Sequence, residues 1–274
     1  MIDVKRFGVL VVAGLSMAAP LSAQTSGPSR QPAGGGELVR LLPLDFPEDG
    51  RRTMGGFGKN LGRSFVGVFS RDNVGPLLIG ATAAGAGSFY DGRVRSRFGT
   101  DPGGALANPG SKAGRASVMV PFVGGMFLAG RMSANGTFRA ATYDMAQAFI
   151  VNATYTEVLK RAVGRPRPDL SDTRSFPSGH TSSAFALATV TNAHYGAKVG
   201  IPAYLAAAAI GAARIDKNVH NLSDVLAGAT LGYIVGRTVV TQDGLPARGQ
   251  ARVRLVPSAP PTGAGAGAGV SIDW

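Results

Sequence analysis

Between Lys160 and Asp224 the chain reads KRAVGRPRP (160–168), PSGH (177–180) and RIDKNVHNLSD (214–224). The first stretch ends a predicted helix over 138–162, because Pro166 and Pro168 cannot continue it and leave Arg165 and Arg167 on an extended turn. Lys160, at the helix end, and Arg167 can then converge on one anion, the arginine as a planar fork and the lysine as a point charge. In the second stretch Ser178 is predicted at the N-cap of a helix beginning near His180, where free N–H groups and the positive dipole end suit an anion. Gly179 lets the backbone come close to such a ligand. In the third stretch Arg214 ends a predicted helix over 199–213, and His220 and Asp224 stand four residues apart. A carboxylate there can hold one imidazole N–H and leave the other nitrogen free to attack. Taken singly, the three fit a solvated basic turn, a capped helix with a surface histidine, and a surface His–Asp pair. Taken together they can hold a tetrahedral anion, attack its phosphorus and protonate what leaves.

Outward from these stretches the chain is a series of Ala/Gly-rich apolar segments broken by charged or proline-containing turns. Helices are predicted near 60–69, 74–90, 113–130, 138–162, 180–195, 199–213 and 222–240. No segment sustains a period-2 alternation, so the fold class expected is all-α, a helical bundle of about six to seven helices. Small residues at many positions allow close helix approach. The charge-free runs Asn73–Tyr90, Ala116–Gly130, Val199–Ala213 and Val225–Gly236 are shorter than the roughly 20 residues of a membrane span, which favours a soluble or membrane-surface bundle. Asp144 and Glu157 within the 138–162 helix would be costly in lipid unless turned to a protein interior. After residue 240, ARVRLV (251–256) and GVSIDW (269–274) alternate on either side of an Ala-Gly repeat. They fit a small β-hairpin or a frayed tail equally well.

The order Lys-x6-Arg-Pro, PSGH, Arg-x5-His-x3-Asp resembles the type 2 phosphatidic acid phosphatase family over about residues 140–240, and the bundle from 60 onward extends that likeness. The resemblance implies the all-α fold shared with vanadium-dependent haloperoxidases and bacterial acid phosphatases. It implies phosphate-binding roles for Lys160, Arg167, Arg214, Ser178 and Gly179. His220 would be the nucleophile that becomes phosphohistidine, Asp224 its orienting carboxylate, and His180 the acid that protonates the leaving oxygen. No metal or other cofactor is expected. One departure stands out: the family's third motif begins Ser-Arg, whereas Ala213 precedes Arg214 here, so one hydroxyl donor is lost. The alternative within the same site is a vanadate-dependent haloperoxidase. A non-enzymatic basic bundle would not need the His220–Asp224 pair. His194 reads as a surface or helix-end residue outside the site. Glu157 is spaced to pair with Arg161, and Arg165 is a further cation close to the site.

The 274 residues carry a net charge of +12 and no cysteine. That charge favours anionic partners: a phosphorylated small molecule, a lipid phosphate or an anionic membrane surface. Nucleic acid is not expected, since the basic residues are scattered and aromatics make up only 7%. Lys5 and Arg6, the apolar run Phe7–Ala19, and Leu21-Ser22-Ala23 before Gln24 read as a cleavable signal over 1–23. The division that follows is a leader and irregular arm over 24–58, a helical phosphatase-like domain over 59–241 and a tail over 242–274. The chain is expected to be exported, either periplasmic or attached to the membrane on its periplasmic side.

Overall fold

The computed structural model describes residue 45 and residues 49–98, 116–244, 252–258 and 267–273. The expected signal and leader lie outside them. The helices are α1 (Phe57–Gly67), α2 (Val74–Ser88), α3 (Asp91–Phe98), α4 (Ala116–Arg131), α5 (Gly136–Val163), α6 (Gly179–Tyr195), α7 (Ala197–Asp216) and α8 (Leu222–Gln242), with a 3-10 turn at Arg71–Asn73. The all-α bundle expected from the sequence is what forms. The tail carries a two-stranded hairpin, in which β1 (Arg252–Ser258) pairs antiparallel with β2 (Gly267–Asp273) and Val253 stands opposite Ile272.

Helices α6 and α8 form the centre, and α5, α7 and α2 pack around them. The core is built from small and β-branched residues: Ala148 and Val151 of α5, Ala186 and Val190 of α6, Val235 and Val239 of α8. The α6–α8 seam is closer than side chains would allow. A Cβ on Gly228 would stand 2.6 Å from the Ser178 carbonyl oxygen, one on Gly232 2.1 Å from that of Ser182, and one on Gly236 2.7 Å from that of Ala186. Three glycines at a spacing of four thus make a groove on one face of α8 that accepts the α6 backbone directly.

Helix α5 starts where the Asn135 side chain accepts a hydrogen bond from the Phe138 N–H at 2.9 Å. It ends at Gly164, whose φ of 58° closes the turn on the Lys160 carbonyl. Lys160 is therefore held in the last turn, as its sequence position implied. Three features differ from the sequence reading. Helix α3 was not expected: DGRVRSRF has no apolar period, and the segment is tied instead through Asp91 to the start of α8. Helix α7 runs on through Arg214 to Asp216. His194, expected at the surface, is buried, with Nε2 2.8 Å from Asp144 Oδ2.

That histidine belongs to a buried polar cluster that joins four segments. Asp144 of α5 also takes two hydrogen bonds from Arg52 of the N-terminal arm, at 2.8 and 2.9 Å. Gln147 donates to Asp243, just past α8, at 2.7 Å. Asp144 thus faces protein, the one condition under which a charge there is affordable. Beside it Asp49 of the arm pairs with Arg139 and Arg131. The described part of the arm, expected to be irregular, is fastened to α4 and α5 by buried ion pairs.

Candidate active site

Helix ends and turns converge at one end of the bundle on a cavity of about 260 Å³. Lys160 comes from the last turn of α5, Arg167 from the turn that follows, Gly179 and His180 from the start of α6. Arg214 comes from the last turn of α7, and His220 from the segment before α8. Six of the eight residues singled out in the sequence therefore line one space. Asn218 makes the last step: its φ of 57° is a left-handed conformation that asparagine tolerates. The chain then folds back, with the Val219 N–H on the Arg214 carbonyl at 3.2 Å, and His220 enters the cavity wall beside Arg214.

The remaining two stand behind the wall. Asp224 is fully buried in the first turn of α8. Its Oδ2 accepts from Ser175 Oγ at 2.6 Å and the Asn221 N–H at 2.8 Å, and its Oδ1 from Arg165 at 2.7 Å. His220 Nδ1 lies 3.8 Å from Oδ2, longer than a hydrogen bond but close enough for charge to act. His220 sits before α8 rather than on it, so the pair meets across the helix start instead of along one helix face. Ser178 holds the N-cap position of α6 without capping it. Its N–H donates to the Asp224 carbonyl and its hydroxyl accepts from Thr181 Oγ1, both at 2.9 Å.

The electrostatics favour an uncharged imidazole beside an ionised carboxylate. Burial pushes the His220 ring down to about 4, the positive Lys160 and Arg214 add to that, and Asp224 opposes it. Burial alone would raise Asp224, but His220, Ser175, the Asn221 N–H and Arg165 outweigh it and hold the carboxyl at about 2. Burial and the nearby Arg167 lower Lys160 to about 8, against the pull of Asp224 and Asp172. At neutral pH the site is thus a neutral imidazole among fixed cations.

The cavity wall also holds residues the sequence did not single out for the site. Glu157, which pairs with Arg161 at 2.7 Å as its spacing implied, also takes Arg174. Asp172 pairs with Arg167 at 2.7 Å. Their roles depend on how the 167–174 turn folds back on α5, which no local pattern announces. A second cavity, of about 770 Å³, lies between α2, α5 and α8 and is lined mainly by apolar side chains, among them Leu77, Tyr155, Leu159 and Leu231. It lacks the convergent cations and histidines of the smaller one. No group of three or more His, Asp or Glu side chains that could hold a metal ion occurs among the described residues.

Residues 141–245 match the family model described as the PAP2 superfamily. Over those residues the chain is similar to the PAP2 superfamily. All three motifs fall inside the match, and so do the residues that line the cavity. An 80-residue segment is 44% identical to the lipid A 1-phosphatase of Porphyromonas gingivalis, covering 28% of this chain and 18% of that protein. A PA-phosphatase related-family protein of Dictyostelium discoideum is 28% identical over 146 residues, covering 43% of this chain and 53% of that protein. The matched segments thus span about a fifth and about half of these relatives. Among solved structures, the first transmembrane PAP2 type phosphatidylglycerolphosphate phosphatase from Bacillus subtilis superposes with a TM-score of 0.52 at 22% identity. That match covers 64% of this chain and 96% of the other. At that identity it shows a common PAP2 fold.

Proposed function

We propose that this PAP2-like protein is an exported phosphatase that removes phosphate from a lipid phosphomonoester or pyrophosphate through a phosphohistidine on His220. The observation that carries the reading is the single cavity lined by four cations, Lys160, Arg167, Arg174 and Arg214, and by two histidines. Lys160, Arg167, Arg214 and the Gly179 N–H would hold the phosphate oxygens, with Ser178 fixing the α6 start behind them. The neutral His220, its Nδ1 side turned to Asp224, attacks phosphorus through Nε2, and the P–O ester bond breaks. His180 gives its proton to the departing oxygen. Water then attacks the phosphohistidine, its proton passes to His180, and inorganic phosphate leaves with both histidines restored. The fixed cations offset the charge that builds on the phosphoryl oxygens.

A lipid substrate is favoured by the relatives' names, by the apolar 770 Å³ cavity and by the outer faces of the bundle. Leu77, Leu78 and Ile79 of α2, Phe122 and Leu128 of α4, and Ile201 and Leu205 of α7 are all exposed. Large side chains in that number suit contact with lipid better than water. Of the described helices, α7 is long and apolar enough by length and composition to cross a membrane. We place the protein at the membrane, with its site on the periplasmic side to which the N-terminal signal would send it.

The test is phosphate release by the purified full chain on three substrates: a soluble monoester, a phosphatidic acid in detergent micelles, and a polyprenyl pyrophosphate. Wild type should release phosphate fastest from one of the two lipids and trap acid-labile phosphate on quenching, and His220→Ala should do neither. Turnover by His220→Ala, or no turnover on any of the three, would remove the proposal.

A further inference from the structure

Asp91 lies on α3, a helix outside every motif, yet it reaches the heart of the site. Its Oδ1 accepts the Ser223 N–H at 2.9 Å, and its Oδ2 accepts Ser223 Oγ at 2.6 Å and Arg165 at 2.9 Å. Arg165 donates in turn to Ser223 Oγ and to Asp224 Oδ1, both at 2.7 Å. The four residues form a closed ring around the first turn of α8. Asp91 satisfies one of the free N–H groups of that turn from outside the helix, and Arg165 fixes the rotation of the Asp224 carboxylate.

We propose that Asp91 and Arg165 are positioning residues that set the charge Asp224 presents to His220. Arg165 facing Asp224 alone would form a neutral pair, leaving no net anion beside the nucleophile. Arg165 shared between Asp91 and Asp224 leaves one negative charge over. That charge is what steadies the positive imidazole ring formed when Nε2 bonds to phosphorus. Asp91 is buried and Asp224 fully so, so solvent screens the two carboxylates weakly, while the Arg165 side chain, 31% exposed, is screened in part. The other groups around His220 are cations or lie farther along the cavity wall: Lys160 of α5, Arg167 and Arg174 of the turn, His180 of α6 and Arg214 of α7, with Asp172 and Glu157 engaged by arginines. None of them supplies the missing negative charge.

This inference rests on the phosphatase reading for its role in turnover, and the experiment separates the two. Four variants of the full chain would be compared with wild type: Asp91→Asn, Asp91→Glu, Arg165→Gln, and the Asp91→Asn/Arg165→Gln pair. Steady-state kinetics would use p-nitrophenyl phosphate across pH, and the His220 ring would be titrated by NMR independently of turnover. Asp91→Asn should lower kcat about 10- to 100-fold, the span of a modest change in transition-state charge. It should leave KM within about threefold, since the phosphate-binding groups are untouched. It should also move the acidic limb of kcat/KM, and the His220 titration, to lower pH. Arg165→Gln should move both to higher pH. The double variant restores one net negative charge, so it should return the titration toward wild type and recover part of the lost kcat. Asp91→Glu keeps the charge and should retain the wild-type limb.

A residue that only held α3 in place would make the double variant worse than either single one and leave the His220 titration unmoved. That result overturns the inference, as does an Asp91→Asn limb that stays put. Should Asp91→Asn fail to fold, Arg165→Gln decides alone by the direction of its shift. A wild type that never releases phosphate would remove the enzyme reading and the turnover role together. The NMR titrations would still decide whether Asp91 and Arg165 govern His220.

Discussion

His180 and His220 line the same cavity, but their surroundings suit them to different work. His220 is held neutral by burial among cations and has a carboxylate behind it, as a nucleophile requires. His180 projects from the first turn of α6, and in the proposed chemistry it handles the leaving group's proton. Its loss should therefore matter in proportion to how badly the leaving group needs that proton. His180→Ala should lower kcat on an alkyl phosphate about 10²- to 10⁴-fold, the usual contribution of a positioned acid. On p-nitrophenyl phosphate, whose leaving group departs unprotonated, the loss should stay within about tenfold. Equal losses on the two substrates, measured side by side, would mean that His180 serves only to bind phosphate. At this scale the sequence was informative for a physical reason: Lys160, Arg167, Gly179, His180, Arg214 and His220 stand at helix ends and turns, where type and spacing single them out, and the fold brings them to one cavity. Glu157, Asp172, Arg174 and Asp91 are not singled out in this way, because their partners are set by how distant segments fold back. His194 was misjudged for the same reason: Asp144, fifty residues earlier, turns an apparent helix-end residue into a buried one.

Among the elements, those whose apolar content runs long enough to specify a helix were legible, and their ends came within a few residues of the observed ones. The polar α3 was not, since it is stabilised by its attachment to α8 rather than by its own pattern. The hairpin was one of two readings until the β1–β2 register chose between them. The α6–α8 seam makes the sharpest prediction here. In Gly232→Ala the new methyl would meet the Ser182 carbonyl, a backbone atom that cannot swing away. Such overpacking should cost about 3 kcal/mol, or roughly 6–12 °C in Tm for a domain of this size, read by thermal unfolding. Gly124→Ala in α4, where the added methyl meets nothing within 4 Å, is the control and should leave Tm unchanged or slightly raised.

Over the whole molecule, the cation-lined cavity and the Asp144 cluster make separate demands on pH. Burial and the neighbouring Asp144 raise the Asp243 carboxyl to about 7, against the pull of Arg52 and Gln147. A folded-state value above the ordinary 3.8 means that folding favours the protonated form. Its contribution is complete below about pH 4 and is lost as pH rises through about 7. Asp243→Asn, which keeps the shape and cannot ionise, should match wild type in Tm at pH 4 and exceed it by a few degrees at pH 8. A constant difference at both values would rule out the titration. The exposed apolar helices predict in addition that carbonate will fail to strip the protein from membranes and detergent will release it; recovery in the soluble periplasmic fraction would contradict the placement. The glycine seam has one more consequence. Gly228 rests against the carbonyl of Ser178, two residues before His180, and α8 begins two residues after His220. The distance between the backbone at His220 and that at His180 is therefore gauged by this bare backbone contact. An attack with departure on the opposite side of phosphorus tolerates little error in that dimension. Seam variants that still fold should thus lose turnover out of proportion to their lost stability.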